Sequence, residues 1–327
     1  MAVYTPVSDA QAQTLLDTLG LGPLRGLKAI ASGIENTNYF VDTDGACWVL
    51  TLFERLSATE LPFYLGLMQH LAERGLPVPA PRPDAAGRLL HQVAGKPAAL
   101  VQRLRGQDVS APDLAHCQAA GAISARLHLA AADYPLQQPN LRGAAWREAT
   151  AATVRPWLDA DQQALLDQEL AHQRQMLASA SHAALPCGPV HADMFRDNVL
   201  FDGPADAPVL TGVFDFYFAG VDTWGFDLAV TINDWCVDAP DGRLDEARAD
   251  ALVAVYAQAR QAGGRPVAGA EWRLLAAQRR MAALRFWLSR LADWHQPREA
   301  SLLTPKDPLQ LERVLRDAVE RPWHPSP

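Results

Sequence analysis

The chain has 327 residues, 49% of them hydrophobic and 20% charged, which is enough apolar material for a large core and for two lobes. A formal net charge of −8 and a pI near 5.6 exclude the broad basic footprint that nucleic-acid binding requires. No apolar run approaches the roughly 20 residues of a membrane span, and MAVYTPVSDAQAQTLL lacks a leader pattern, so the expected setting is the cytoplasm.

Ser8 is placed to cap a short helix that ends at Gly20. LKAIAS, TNYFVDT and CWVLTLFE then read as strands of an antiparallel sheet, the last two joined by the turn DTDGA. Between the first two lies the polar stretch Ser32, Gly33, Ile34, Glu35, Asn36, Thr37 and Asn38. Small and amide residues there would let backbone N–H groups approach phosphates, with Ser32, Gly33, Asn36 and Asn38 as the candidate contacts. There is no G-x-G-x-x-G and no Walker lysine, so the stretch also reads as an ordinary turn. Thr59 is expected to begin a helix through LPFYLGLMQHLAER, closed by Gly75 and followed by PVPAPRP. RLLHQV and PAALVQRL complete a sheet of about five strands.

After Arg105 and Gly106 the composition turns Ala- and Leu-rich, with helical spacing near 111 to 132, 160 to 180, 244 to 262 and 269 to 294. An α+β, two-lobed chain follows: residues 1–104 as an N-terminal lobe with an antiparallel sheet and a helix, and 105–327 as a larger, mainly helical lobe. QRLRG is the candidate hinge, where backbone groups of Gln102 to Leu104 would meet an adenine edge. Cys47, Cys117, Cys187 and Cys236 form no C-x-x-C pair, and reduced, buried thiols are expected.

The most informative segment is GPVHADMFRDNVLF followed by VLTGVFDFYF. A loop leaving a strand at GPVH and re-entering one at VLF aims Asp193 and Asn198 into one place, and the return strand delivers Asp215 beside Asn198. Phosphoryl transfer needs a carboxylate to orient the acceptor hydroxyl and accept its proton, together with oxygen ligands for Mg²⁺. Asp193 suits the first task; Asn198 and Asp215 suit the second, because Mg²⁺ takes few protein oxygens and fills its shell with phosphates and water. Each of these residues alone would read as a turn former, and His191 as a brace for the loop. A metallohydrolase reading of His191 and Asp193 lacks further nitrogen or sulfur ligands at useful spacing.

These residues resemble the aminoglycoside phosphotransferase and choline kinase superfamily, whose two-lobed fold is similar to that of protein kinases. The blocks SGIENTNYF, WVLTLFE, LPVP, GKPAAL, VHADMFRDNVLFDG, NDWC and RFWLSR are similar to those of bacterial homoserine kinases, in the same order, from about residue 32 to 290. The resemblance implies ATP- and Mg²⁺-dependent phosphorylation of L-homoserine, a step of threonine synthesis, with Asp193 as base and Asn198 and Asp215 as metal ligands. Asp227 in GFDLA matches a superfamily position after the metal Asp and is expected to brace the lobe. One departure stands out: Thr51 in WVLTLFE occupies the third-strand position where kinases carry a phosphate-holding Lys or Arg. Lys96, Arg55 or the 33 to 38 backbone would have to compensate.

An amino-acid acceptor presents two charges that need partners. Asn233 and Asp234 are candidates for its ammonium, and Arg285 or Arg290 for its carboxylate, while inter-helix salt bridges explain the arginines equally well. Trp235, Phe286, Trp287 and Trp294 read as core. Two alternatives stay open: a kinase of the same fold acting on choline, an aminoglycoside or another alcohol, and a nucleotide-binding regulator without catalysis. The sequence leaves the oligomeric state unassigned.

Overall fold

The structure is a computed structural model that describes residues 4–30, 36–204, 207–238, 241–296 and 306–325. The described residues divide into two compact units. The first holds residues 4–105 and 212–214; the second holds 106–211, 215–296 and 306–325. No helix among the described residues is long and apolar enough to cross a membrane.

In the first unit, helix α1 (Asp9–Leu19) starts at Ser8, whose side chain accepts from the Gln11 amide, and stops at Gly20 in the left-handed conformation. It precedes β1 (Leu24–Ala29), β2 (Thr37–Thr43) and β3 (Cys47–Leu52). Helix α2 (Leu61–Glu73) follows, then β4 (His91–Val93) and β5 (Lys96–Gln102). The sheet runs β1-β2-β3-β5-β4, antiparallel throughout. Its period-two alternation places Tyr39, Val41, Leu50, Leu52, Ala98 and Leu100 on one face, packed with Leu15, Leu16 and Leu19 of α1. Asn38, Phe40, Val49, Thr51, Ala99 and Val101 therefore share the opposite face.

Two expectations here need correction. Thr59 does not begin α2, which starts at Leu61, after Glu60 and without any side-chain cap. The strand expected over RLLHQV is confined to His91–Val93, because Asp84 folds the preceding residues into a turn, its carboxylate accepting from the Ala86 and Arg88 amides at 2.9 Å each.

The second unit is mostly helical. Helices α3 (Leu114–Ala131), α4 (Ala144–Val154), α5 (Ala160–Leu177) and the short α6 (Ala180–Ala183) precede β6 (Cys187–Val190), β7 (Val199–Asp202) and β8 (Val209–Val213). β9 (Gly220–Thr223), α7 (Trp224–Trp235), α8 (Glu246–Ala262), α9 (Gly269–His295) and α10 (Leu309–Glu320) complete it. α3 approaches α8 so closely at Gly121 that a Cβ there would lie 2.2 Å from the Leu252 carbonyl oxygen. α4, β9 and α10 were not expected from the sequence, and α7 is longer than the short helix anticipated around Asn233. Trp235, Phe286 and Trp287 are buried as expected, whereas Trp294 is 44% exposed. Cys117 and Cys236 are buried, but Cys47 and Cys187 are exposed, contrary to the expectation of four buried thiols.

Candidate active site

β6 pairs antiparallel with β9 and delivers the chain to His191 with its backbone direction fixed. Ala192 then takes a left-handed conformation, φ 60°, which costs a non-glycine residue about 1–3 kcal/mol unless its surroundings hold it there. Asp227, in the first turn of α7, supplies that hold: its Oδ1 accepts from the Ala192 amide at 2.6 Å and its Oδ2 from the His191 amide at 3.4 Å. The carboxylate is anchored in turn by His128 Nε2 at 2.9 Å, and His128 Nδ1 meets the Tyr256 hydroxyl at 3.0 Å. Arg260 donates to that hydroxyl at 2.9 Å and pairs with Glu271 at 3.1 Å. Burial pushes the Asp227 carboxyl up, but the His128 hydrogen bond and the facing imidazoles outweigh it and hold it below the usual carboxylate range. Asp227 is thus a brace, as expected, and His128 and Tyr256 extend it.

Asp193 follows one residue later. Its amide donates to His191 Nδ1 at 3.2 Å, which fixes that nitrogen as an acceptor and makes His191 a loop brace. Asn198 Nδ2 donates to the Asp193 carbonyl at 2.8 Å and to its Oδ2 at 3.1 Å. Arg285 Nη1 on α9 lies 3.6 Å from Oδ1. Burial pushes the Asp193 carboxyl above the usual range, with Arg285 and His191 opposing part of the rise. A carboxylate with raised proton affinity is a better general base than a solvated one.

The rest of the loop is fastened to the end of α7. The Arg196 amide and Nε both donate to Asp234 Oδ2, at 2.7 and 3.1 Å, and Arg196 Nη2 reaches the Asp234 carbonyl. Trp235 Nε1 donates to the Met194 carbonyl at 2.9 Å.

Asn198 is the last residue before β7, and Asp215 stands two residues beyond β8. Adjacent strands joined by so short a connection pair antiparallel, so the hairpin returns Asp215 toward Asn198. Thr211 Oγ1 donates to the Leu200 carbonyl at 3.2 Å across this pair. Asp215 adopts φ 64° and ψ 58°, a second left-handed non-glycine residue, and Phe216 packs its ring 4.5 Å from the His191 imidazole. That ring contact ties the Asp215 turn to the Asp193 loop.

The other sequence candidates are dispersed. Ser32 and Gly33 lie outside the described residues. Asn38 accepts from Thr51 Oγ1 at 2.8 Å and donates to the Asn36 carbonyl at 3.4 Å, so its amide is engaged by its neighbours on and before the sheet. The Gln102 amide donates to the Ala80 carbonyl at 3.0 Å and the Arg103 amide to the Cys47 carbonyl at 3.1 Å, which removes both donors from adenine recognition. Leu104 follows β5 in irregular backbone. Asn233 is turned away from Asp193, with Oδ1 accepting from Arg279 Nε at 3.1 Å and Nδ2 donating to the Arg279 carbonyl at 2.8 Å. Asp234 is engaged with Arg196, whereas Arg285 lies beside the Asp193 carboxylate and the charge of Arg290 also acts on it.

Lys96 does not replace the missing third-strand lysine. By strand parity it shares the α1 side of the sheet, and its Nζ pairs with Glu54 at 3.0 Å, whose other oxygen accepts from Thr37. Thr51 is on the opposite face.

The oxygen set fits a small hard cation. Asn198 commits its nitrogen to Asp193, which turns Oδ1 the other way, and Asp215 would add a carboxylate oxygen. No group of three or more His, Cys, Asp or Glu capable of holding a metal occurs among the described residues, so a metal here would depend on ligands brought by a substrate, as Mg²⁺ does.

A strand-supported loop carrying a partly buried carboxylate, with an amide and a second carboxylate on the following hairpin, defines a phosphotransferase of the protein-kinase-like class. The chain belongs to the phosphotransferase enzyme family, which it matches over residues 26–262. It is 52% identical over 323 residues to the homoserine kinase of Polaromonas naphthalenivorans (strain CJ2), covering 99% of each chain. It is 51% identical over 320 residues to that of Cupriavidus pinatubonensis, covering 97% of this chain and 96% of the relative. Among solved structures, an amicoumacin kinase in complex with AMP-PNP, Ca²⁺ and Ami superposes with a TM-score of 0.67 at 17% identity, covering 96% of this chain and 95% of that one. A choline kinase from Cryptosporidium parvum does so with a TM-score of 0.58 at 14% identity, covering 90% and 88%. At these identities the two structures establish the fold.

Proposed function

We propose that this chain is a homoserine kinase, transferring the terminal phosphoryl group of ATP to the γ-hydroxyl of L-homoserine in threonine biosynthesis. The observation that carries this reading is identity at about half of all positions, over nearly the full length, to curated homoserine kinases. In the proposed reaction Asp193 accepts the hydroxyl proton as the oxygen attacks, with its orientation held by Asn198 and by the braced loop. Asn198 Oδ1 and Asp215 would hold Mg²⁺, which supplies charge neutralisation on the phosphates. The segment from Ser32 to Asn38 would meet the phosphates through its backbone, and the Gln102 and Arg103 carbonyls together with the Leu104 backbone are the candidates for the adenine edge. The ordered base and its two partners support catalysis over a purely regulatory role, since nothing in nucleotide binding alone requires a partly buried, hydrogen-bonded Asp193.

The test is ATP- and Mg²⁺-dependent ADP release by the purified protein with L-homoserine beside L-serine, L-threonine, choline and an aminoglycoside. Selective turnover of homoserine is expected. Turnover of another alcohol alone would retain the reaction class and remove the substrate, and nucleotide binding with no turnover would favour the regulator.

A further inference from the structure

We propose that Tyr256 is a positioning residue for the reaction: its phenol proton, directed by Arg260, keeps the imidazole proton of His128 on Nε2, where it holds Asp227 and so the backbone that aims Asp193. This rests on the homoserine kinase reading. Four helices supply the chain: His128 comes from α3, Asp227 from α7, Tyr256 and Arg260 from successive turns of α8, and Glu271 from the first turn of α9. All five side chains are buried, so each polar hydrogen among them needs an acceptor inside the protein.

The direction of the chain is set at its outer end, because a guanidinium has donors and no acceptor. Arg260 Nε donates to the Arg265 carbonyl at 2.7 Å, and Nη1 and Nη2 reach the Glu271 carboxylate at 3.1 and 3.4 Å. Nη1 also donates to the Tyr256 oxygen at 2.9 Å, so the phenol proton points elsewhere. Among the described residues its other partner is His128 Nδ1, at 3.0 Å. Burial pushes the phenol pKa up and keeps that proton on oxygen. Nδ1 therefore accepts, and Nε2 carries the hydrogen that meets Asp227 Oδ2 at 2.9 Å. The opposite assignment would turn the Nε2 lone pair on a carboxylate oxygen and leave the phenol hydrogen without an acceptor, each a costly arrangement away from water.

Packing fixes the imidazole plane but does not require the hydroxyl. The ring stacks on Trp224 with centroids 5.5 Å and planes 15° apart, and the Arg260 guanidinium carbon lies 4.4 Å from the Trp224 ring centroid. Trp224 opens α7, the helix that carries Asp227, so the aromatic contacts and the hydrogen-bond chain meet on one helical turn. Tyr256→Phe keeps the ring that touches His128 and removes only the group that assigns its proton. The last link is the bond from the Ala192 amide to Asp227 Oδ1 at 2.6 Å, one residue before Asp193.

The experiment joins nitrogen NMR of histidine-labelled protein at neutral pH to steady-state kinetics with L-homoserine, for the wild type, Tyr256→Phe, His128→Gln, His128→Leu and the Tyr256→Phe/His128→Gln double variant. The His128 signals are those lost in His128→Gln. They should show hydrogen on Nε2 alone in the wild type and a mixture of tautomers in Tyr256→Phe. Tyr256→Phe should lower kcat on the order of tenfold, as a small displacement of the base does, with KM for homoserine and for ATP changed by less than about twofold. The amide nitrogen of His128→Gln always carries hydrogens, so this variant should keep more activity than His128→Leu, and adding Tyr256→Phe to it should cost less than about twofold. Hydrogen on Nδ1 in the wild type, an unchanged kcat in Tyr256→Phe, or the same loss in both backgrounds would overturn the proposal. If a variant fails to fold, the wild-type spectrum still decides the proton's place. A wild type that turns over homoserine beside an unaffected Tyr256→Phe refutes the proposal alone, whereas no homoserine turnover by the wild type removes the functional reading and with it the part of Tyr256 in the reaction.

Discussion

The Asp227 carboxylate accepts from the Ala192 amide at 2.6 Å, and this bond holds the residue before Asp193 in a conformation it would not otherwise keep. Asp227→Asn preserves shape but removes the charge that faces His128 and two backbone amides. We expect a loss of about 3 kcal/mol in stability to chemical denaturation, the scale for breaking a buried charged pair, together with a fall in kcat.

The same residue gives a pH signature. Its folded carboxyl pKa is depressed below the ordinary 3.8, so its contribution is fully present above that value and is lost as pH falls through the folded pKa. The stability gap between wild type and Asp227→Asn should therefore be constant above about pH 5 and shrink on acidification below pH 4. A gap that widened with acid would reverse the sign of the assignment.

Asn198→Ala and Asp215→Ala test the metal set. Titration of ATP in the presence of Mg²⁺ should show affinity weakened by about tenfold or more in Asp215→Ala, with metal-free affinity little changed. Asn198→Ala should combine a similar loss with reduced kcat, because Asn198 also hydrogen-bonds the Asp193 carboxylate.

Lys96→Ala distinguishes the two faces of the sheet. Its ion pair with Glu54 lies on the α1 side with a partly exposed lysine, so stability should fall by no more than about 1 kcal/mol. ATP affinity measured by the same titration should stay within twofold of wild type. A tenfold loss would show that Lys96 supplies the phosphate contact absent at Thr51.

Gly121→Ala introduces a methyl 2.2 Å from the Leu252 carbonyl, and a backbone atom cannot swing aside as a side chain would. Separating α3 from α8 should cost about 2–3 kcal/mol by thermal or chemical unfolding. Because α3 carries His128 and α8 carries Tyr256, kcat should fall as well.

What the sequence made legible follows from how each signal is encoded. The Asp193, Asn198 and Asp215 spacing is local, fixed by one loop and one hairpin, and it reads directly from the chain. Asn233 and Asp234 are adjacent in sequence but about 100° apart around α7, so they point to different partners, Arg279 and Arg196, and adjacency gave no guide to either. β9 is a four-residue GVDT strand without apolar alternation, visible only through its pairing with β6. α7 is buried on nearly every side and so lacks an amphipathic stripe to mark its length. α10 differs from these in carrying a local signal, with Leu311, Val314, Leu315 and Ala318 at helical spacing. The roles of His128 and Tyr256 depend on contacts 99 and 128 residues away, which no local pattern carries.

The most direct measurement of the central claim is detection of O-phospho-L-homoserine by phosphorus NMR after incubation with ATP, Mg²⁺ and L-homoserine, comparing the wild type with Asp193→Ala at matched nucleotide occupancy. The account predicts stoichiometric product with the wild type and a rate lower by about 10²–10⁴-fold in the variant, the usual worth of a general base, with ATP still bound. Equal product formation by the two proteins would contradict the assignment of Asp193, and no phosphohomoserine from the wild type would contradict the proposed reaction.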